Sequence, residues 1–447
     1  MRPRRIPHGF VPHYLMIALA VAGAGWSPAA AAPARDNKSI ARSGPAARGD
    51  AIALAIQDKV GGSLKRFYAE RRFRPLWASG GKIGRPADTL IGFLRSAGLD
   101  RLKPSSYDID DLRETIAAAR GGDPRAVARA ELALSATFAR YVRDQRGSGV
   151  RMIYADRALK PKPPKPETVL RAAAFPKSLD DYVTGMGWMS PHYVRLRQLM
   201  ARAEKAGTSK ETMKRLELNL DRARLLPGPW TRHVVVDASS GRLWYYQGGE
   251  QVGTMRVVVG AEETQTPMLV GNLQWAILNP YWNVPTYLAR QSIAPKVLSG
   301  HSLASQRIEA LSDWSASARP LSAASIDWAA VASGKREIRL RELPGGANSM
   351  GRVKFLFPNK EGIYLHDTPN RDLLEKDDRH FSNGCIRLEN AAELGRWLLQ
   401  KPIRAGSTRP EQAVPLPVQV PVYLTYLTAT ATERGVAFRR DIYGRDG

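Results

Sequence analysis

One cysteine, Cys385, stands in the run Phe381-Ser382-Asn383-Gly384-Cys385-Ile386-Arg387-Leu388 of this 447-residue chain. A lone thiol cannot close an internal disulfide, and it rules out zinc or iron–sulfur sites of the CxxC kind, which need several thiolates. It can be a nucleophile. Gly384, directly before it, has no side chain, so a substrate carbonyl can approach the sulfur and backbone amides stay open to an oxyanion. The competing reading is a buried, inert cysteine, the commoner fate of a free thiol.

A nucleophilic thiol needs a base, because with a pKa of about 8.5 it is mostly protonated at neutral pH. Of the seven histidines, His366 and His380 lie closest in sequence to Cys385. His366 ends a strand-like Gly362-Ile363-Tyr364-Leu365 and opens the loop Asp367-Thr368-Pro369-Asn370, a favourable place to meet a cysteine at the start of a later element. His380 stands just before Phe381 and reads as a polar surface residue on a loop. His366 is therefore the expected base, ahead of His380. His366, Asp367, Asp377, Asp378 and His380 lack an HExxH-like spacing, so neither a metal nor another cofactor is expected. Gly345 to Gly351 is glycine-rich without the Lys-Ser/Thr ending of a phosphate loop, and reads as a flexible turn. Asn279-Pro280-Tyr281-Trp282-Asn283-Val284-Pro285 suits a packed corner or the rim of a cleft.

The elements that must position these groups fall into two patterns. Helical periodicity dominates from Ala51 to Leu226. Ala51 to Tyr68 opens it, and a helix after Asp123-Pro124 buries Val127, Ala130, Leu134, Phe138 and Tyr141. Leu159 to Pro166 is a proline-lysine run that cannot be helical. Tyr193 to Ala206 and Lys210 to Leu226 resume the helical pattern, the latter aligning Leu216, Leu220, Ala223 and Leu226. After Pro227-Gly228 the period becomes that of strands, at His233–Val236, Arg242–Tyr246, Gln251–Val259, Leu273–Leu278, Glu337–Leu340, Arg352–Phe357, Gly362–His366 and Val418–Thr425. Asn390 and Glu393 form a capping box for a helix that turns Leu394, Trp397 and Leu398 inward.

Arg2, Arg4 and Arg5, an apolar Tyr14 to Trp26 and the small residues to Ala32 form an export signal too short to span a bilayer. The expected location is the periplasm, or the inner membrane if the signal stays attached as an anchor. The net charge of +25 falls to +22 without the three signal arginines. In an exported protein such a charge faces cell-wall polymers and membrane surfaces; no nucleic-acid module is present, and no nucleic-acid partner is expected.

From His366 to Arg387 the segment HDTPNRDLLEKDDRHFSNGCIR resembles the signature of the L,D-transpeptidase (YkuD) family, a histidine followed by SxGCxR. IYLHDTP, NPYWNVP and NSMGRVKF look like its long, YcbB-like branch. The resemblance covers about residues 229–429, and more weakly Tyr68 to Leu226, where FRPLWASGGK looks like that branch's helical scaffold. It implies an α+β protein: a signal (1–32), a linker (33–50), a helical scaffold (51–228), a mainly β catalytic domain (229–429) with a capping insertion at about 271–348, and a tail (430–447).

The resemblance also implies a chemistry. Cys385 matches the nucleophile that attacks the third stem-peptide residue of peptidoglycan, expels the terminal D-alanine and forms a thioester, which a neighbouring stem amine resolves into a 3→3 link. His366 matches the base, and the amides of Gly384 and Cys385 the oxyanion donors. Ser382 and Arg387 match positions that shape the cysteine loop or bind substrate, Asn383 belongs to the same loop, and Tyr364 and Trp282 look like cleft residues. Many members carry SHGC, where this chain has Asn383. Carbapenem acylation of Cys385 would follow. The implied partners are donor and acceptor stem peptides, with an outer-membrane lipoprotein as another acceptor. The alternatives are an L,D-carboxypeptidase or hydrolase that passes the thioester to water, and an inactive peptidoglycan-binding scaffold.

Overall fold

A computed structural model describes residues 45–447 apart from 405, 407, 433 and 434. The expected signal and most of the linker lie outside the described residues. The last part of that linker is not a tether, because a helix runs over Pro45–Lys59. Proline suits a first helical turn, and Ile52 and Ile56 then anchor the helix in the core.

Packing divides the chain into two compact units, one of residues 42–273, 376–386 and 418–447, the other of 274–375 and 387–417 among the described residues. In the first unit the expected helical opening from Ala51 to Tyr68 breaks in two: it stops at Lys59, passes Gly61 and Gly62, and resumes over Lys65–Glu70. Gly62 adopts φ +54, which glycine takes without strain. The helix Pro124–Asp144 begins as the sequence indicates, with the Asp123 carboxylate accepting from the Ala126 amide. Its expected face, Val127 to Tyr141, is fully buried. Lys160 to Lys165 are non-helical, and Pro166 opens the helix Pro166–Ala174. Ser190 and Ser209 cap the helices Pro191–Lys205 and Lys210–Ala223.

Two buried carboxylates fasten these helices together. Asp100 accepts from Tyr141, Tyr193 and Arg197, and Glu131 from Tyr68 and the amides of Leu76, Trp77 and Ala78. Uncompensated buried carboxylates would be costly, and these hydrogen bonds offset that cost.

The same unit holds an antiparallel meander, His233–Asp237, Arg242–Gln247 and Glu250–Gly260. Val422–Thr425 add in parallel to Val234–Asp237, and His380 and Ser382 pair in parallel with Val259 and Gly260. The helices do not pack as a separate body ending near 228. They share one core with Val235, Tyr246, Val270, Tyr423 and Leu427, and His192 meets Trp244 edge-on at 4.6 Å.

The described residues of the expected tail include secondary structure and ion pairs. Ala429–Thr432 and Gly435–Phe438 form a hairpin. Beyond it, Asp446 receives Arg215 at 2.9 Å and Arg222 at 2.8 Å from the helix Lys210–Ala223.

In the second unit Val353–Leu356 pairs with Trp275–Leu278 on one side and Leu365–His366 on the other, all antiparallel. The strand expected over Gly362–His366 is confined to Leu365–His366. Asn359 explains the shortening: its amide donates to the carbonyls of Phe357 and Ile363 and its Oδ1 accepts from the Ile363 amide. The insertion has its own four-stranded antiparallel sheet, Pro320–Leu321, Ile308–Leu311, Arg339–Glu342 and Trp282–Val284, around a core that includes Ile308, Trp328 and Leu340. It starts later than expected, since Gly271 to Leu278 belong to the strand Leu269–Leu278. Asn390 caps the helix Ala391–Leu399 as the sequence indicates; Leu394 and Leu398 are buried, whereas Trp397 is only half-buried.

Candidate active site

Cys385 belongs to the first unit and His366 to the second, and each has its own local architecture. The cysteine sits half-buried in the turn between the strands His380–Ser382 and Ile386–Leu388. That turn needs glycine, because Gly384 has φ +105, a conformation a side chain would strain. Ser382 is 2% exposed and ties the turn from inside: its Oγ donates to the Cys385 carbonyl at 2.6 Å and accepts from the Gly384 amide at 3.1 Å. The Gly384 N–H is thus engaged by the Ser382 hydroxyl within the turn. Its positive φ gives Gly384 a conformational role in the turn. Asn383 is exposed at the tip of the turn.

A second layer holds this turn. The Ser382 carbonyl accepts from the Ala261 amide at 2.8 Å and from Thr264 Oγ1 at 2.9 Å, and the Gly384 carbonyl accepts from Thr266 Oγ1 at 2.8 Å. Nothing in the motif spacing singled out Thr264 or Thr266, because the contact spans 118 residues of chain.

His366 is 2% exposed at the end of its strand. Its Nδ1–H donates to the Asp367 carbonyl at 2.6 Å, which leaves Nε2 as the proton acceptor. Burial pushes its pKa down to about 3; the hydrogen bond to Asp367 opposes this, and the charges of Arg387 and Lys354 reinforce it. The imidazole is therefore neutral at pH 7, the state a base requires. Asp367, read from the sequence only as a possible metal ligand, fixes this arrangement. Its carboxylate accepts from the Arg352 amide and from Arg371. Gly351 makes room, since a Cβ there would lie 2.4 Å from Asp367 Oδ2. The glycine-rich stretch before it is thus more than a turn at its last residue.

Tyr364 lies 5.7 Å from the His366 ring, centroid to centroid. Trp282 sits opposite Glu342 in the insertion's sheet, a different sheet from the strand that carries His366. His380 is not a surface loop residue: it opens a strand, its side chain is 6% exposed, and its Nδ1 donates to Asp378 at 2.6 Å. Its ring meets Tyr443 edge-on at 5.3 Å. Among the described residues no cluster of three or more His, Cys, Asp or Glu side chains has the form of a metal site.

Residues 231–420 match the family model of the L,D-transpeptidase catalytic domain, YkuD, and residues 62–200 match that of a Scaffold domain. The chain thus carries an L,D-transpeptidase (YkuD) catalytic domain. It is α+β, with a helical scaffold and a mainly β YkuD domain, the catalytic domain of that class of enzyme. A Haemophilus influenzae protein named "Putative L,D-transpeptidase" is 26% identical over 395 residues, covering 86% of this chain and 78% of that one.

Among solved structures, an Ldtfm–avibactam carbamoyl enzyme aligns over 45% of this chain and 50% of its own at 12% identity and a TM-score of 0.22. An L,D-transpeptidase from Mycobacterium smegmatis aligns over 43% and 58% at 12% identity and the same TM-score. An Enterococcus faecium L,D-transpeptidase carrying a cysteine-to-serine substitution aligns over 55% and 89%, at 12% identity and a TM-score of 0.19. This chain thus spans about half the length of the first two solved chains, and superpositions this loose do not bear on the site.

Proposed function

We propose that this L,D-transpeptidase forms 3→3 cross-links in peptidoglycan through a thioester on Cys385, with His366 as the base. The observation that carries the reading is the preset tautomer of His366, whose Nδ1 proton is held by the Asp367 carbonyl. Nε2 takes the thiol proton as sulfur attacks the carbonyl of the third stem residue. The bond to the terminal D-alanine breaks, and its amine leaves with that proton. An acceptor amine from another stem then attacks the thioester and loses its proton to Nε2 of His366, the new amide forms, and the departing thiolate is reprotonated from His366. The Cys385 amide is the backbone donor suited to the developing oxyanion. In this reading Arg387, on the strand after the cysteine, and Tyr364, 5.7 Å from the His366 ring, bind substrate groups, and Trp282 and Asn383 are further substrate-binding candidates.

The basic, apolar, small-residue leader supports action in the periplasm. A carbapenem would acylate the same sulfur, and a lipoprotein amine is a second acceptor class for the same thioester. The test incubates the purified protein with tetrapeptide muropeptides and identifies products by mass. Dimers linked 3→3 and a Cys385→Ala variant that makes none are expected. Shortened monomers without dimers would show hydrolysis instead, and unchanged substrate with freshly reduced protein would leave only a binding role.

A further inference from the structure

We propose that Tyr443 is a positioning residue for catalysis, which aims the Cys385 amide by way of Thr266. The proposal rests on the reading of Cys385 as the nucleophile. It starts from a geometric fact: the Gly384 carbonyl and the Cys385 N–H belong to one planar trans peptide and point in opposite directions. Whatever pins that carbonyl also sets where the Cys385 N–H points. Thr266 Oγ1 pins it, donating at 2.8 Å, and the same oxygen accepts from the Gly260 amide at 2.9 Å.

Tyr443 holds Thr266 and Gly260 in turn. Its hydroxyl donates to the Gly260 carbonyl at 2.6 Å and accepts from the Thr266 amide at 3.3 Å. The loop between these two residues is wound tightly, since a Cβ on Gly260 would fall 2.1 Å from the Thr264 carbonyl oxygen. Arg445 adds a second grip, with Nη2 on Gln265 Oε1 at 2.8 Å and on the Thr266 carbonyl at 3.0 Å. Tyr443 is itself fixed. It is 5% exposed, stacks on Tyr426 at 5.0 Å, meets the His380 ring edge-on at 87°, and its amide donates to the Tyr426 hydroxyl at 3.1 Å.

The other end of this brace is in the scaffold. Arg222, on the helix Lys210–Ala223, donates to the Tyr426 and Arg445 carbonyls and to Asp446, and Arg215 also reaches Asp446. The stretch 439–446 therefore carries a continuous hydrogen-bonded path from a scaffold helix to the peptide that bears the nucleophile. An oxyanion donor acts through its direction in the transition state, so loosening this path should slow turnover more than it weakens substrate binding.

The test compares wild type, Tyr443→Phe, Thr266→Val and the double variant by steady-state turnover of muropeptides, with active protein counted by Cys385 labelling. Alkylation of Cys385 by iodoacetamide is timed in parallel; that reaction builds no oxyanion. For Tyr443→Phe a fall of about tenfold in kcat is expected, with KM and the alkylation rate each within about twofold. The double variant should lose no more than Thr266→Val alone, because both act through one contact. An unchanged kcat, an alkylation rate that falls with kcat, or losses that multiply would each overturn the proposal. If Tyr443→Phe gives no cooperative melt, Arg445→Gln is read by the same criteria. A Cys385→Ala variant that still turns over would instead defeat the reading of the nucleophile, whatever Tyr443 does.

Discussion

His366 is neutral at rest because charging it would place an imidazolium in a buried site beside Arg387 and Lys354. A base must be unprotonated to act, and its pKa is lowered from the usual 6.5 to about 3, so protonation of His366 should not limit the reaction near neutral pH. The acid limb of kcat/KM is accordingly expected below pH ~5, read from initial rates; a limb centred near pH 6.5 would contradict the burial argument. His366→Gln should cut kcat by roughly 10²- to 10⁴-fold, the usual worth of a positioned base, while the protein still melts cooperatively. The histidine and the cysteine were both legible from residue type and motif. Asp367 was visible only as a neighbour, because its part depends on a backbone carbonyl and on the space left by Gly351, neither of which has a signature in spacing.

Most elements follow from local signals. Asp123-Pro124, Ser190-Pro191 and Asn390 each begin a helix where capping chemistry says they should. The departures have local causes as well, such as the glycine pair that interrupts the first helical stretch and the Asn359 hydrogen bonds that shorten the strand before His366. Glu131 is different: it lies on the buried side of the helix Pro124–Asp144 and is fully buried. Its two oxygens collect three amides and the Tyr68 hydroxyl. Burial raises its pKa, and these donors work against the rise. Glu131→Gln replaces one acceptor oxygen by a donor and leaves buried amides unpaired, so a loss of about 1–3 kcal/mol is expected. Urea unfolding followed by circular dichroism measures it, and a change under ~0.5 kcal/mol would mean that the four contacts contribute little.

At the scale of the molecule the net charge of +25 is its most unusual compositional feature. Exposed charges act through screened fields, so any retention on an anionic wall should weaken steeply as salt rises past the point where the Debye length is about 10 Å, near 0.1 M. Pelleting of Cys385→Ala with purified wall at increasing sodium chloride checks this; retention indifferent to salt would remove the charge from the explanation. The scaffold's part in the molecule also differs from a spacer's. Its helices share a core with the first strands of the catalytic sheet, and Arg215 and Arg222 hold the segment that contains Tyr443.

The sequence by itself determined the likeness to the YkuD domain, the α+β class, the candidate nucleophile and base, and most helix and strand positions. These rest on short-range chemistry: residue type, hydrophobic period and caps that act within a few residues. Only the tertiary structure decided that the Gly384 amide is engaged by Ser382, that His380 is buried against Tyr443, and that Asp446 pairs with Arg215 and Arg222 of the scaffold. Each of those depends on hydrogen-bond direction or on partners brought together by folding, in the case of Tyr443 and Gly260 from 183 residues apart. A period or a motif records which residues are near in the chain, whereas direction and long-range closure exist only once the chain is packed.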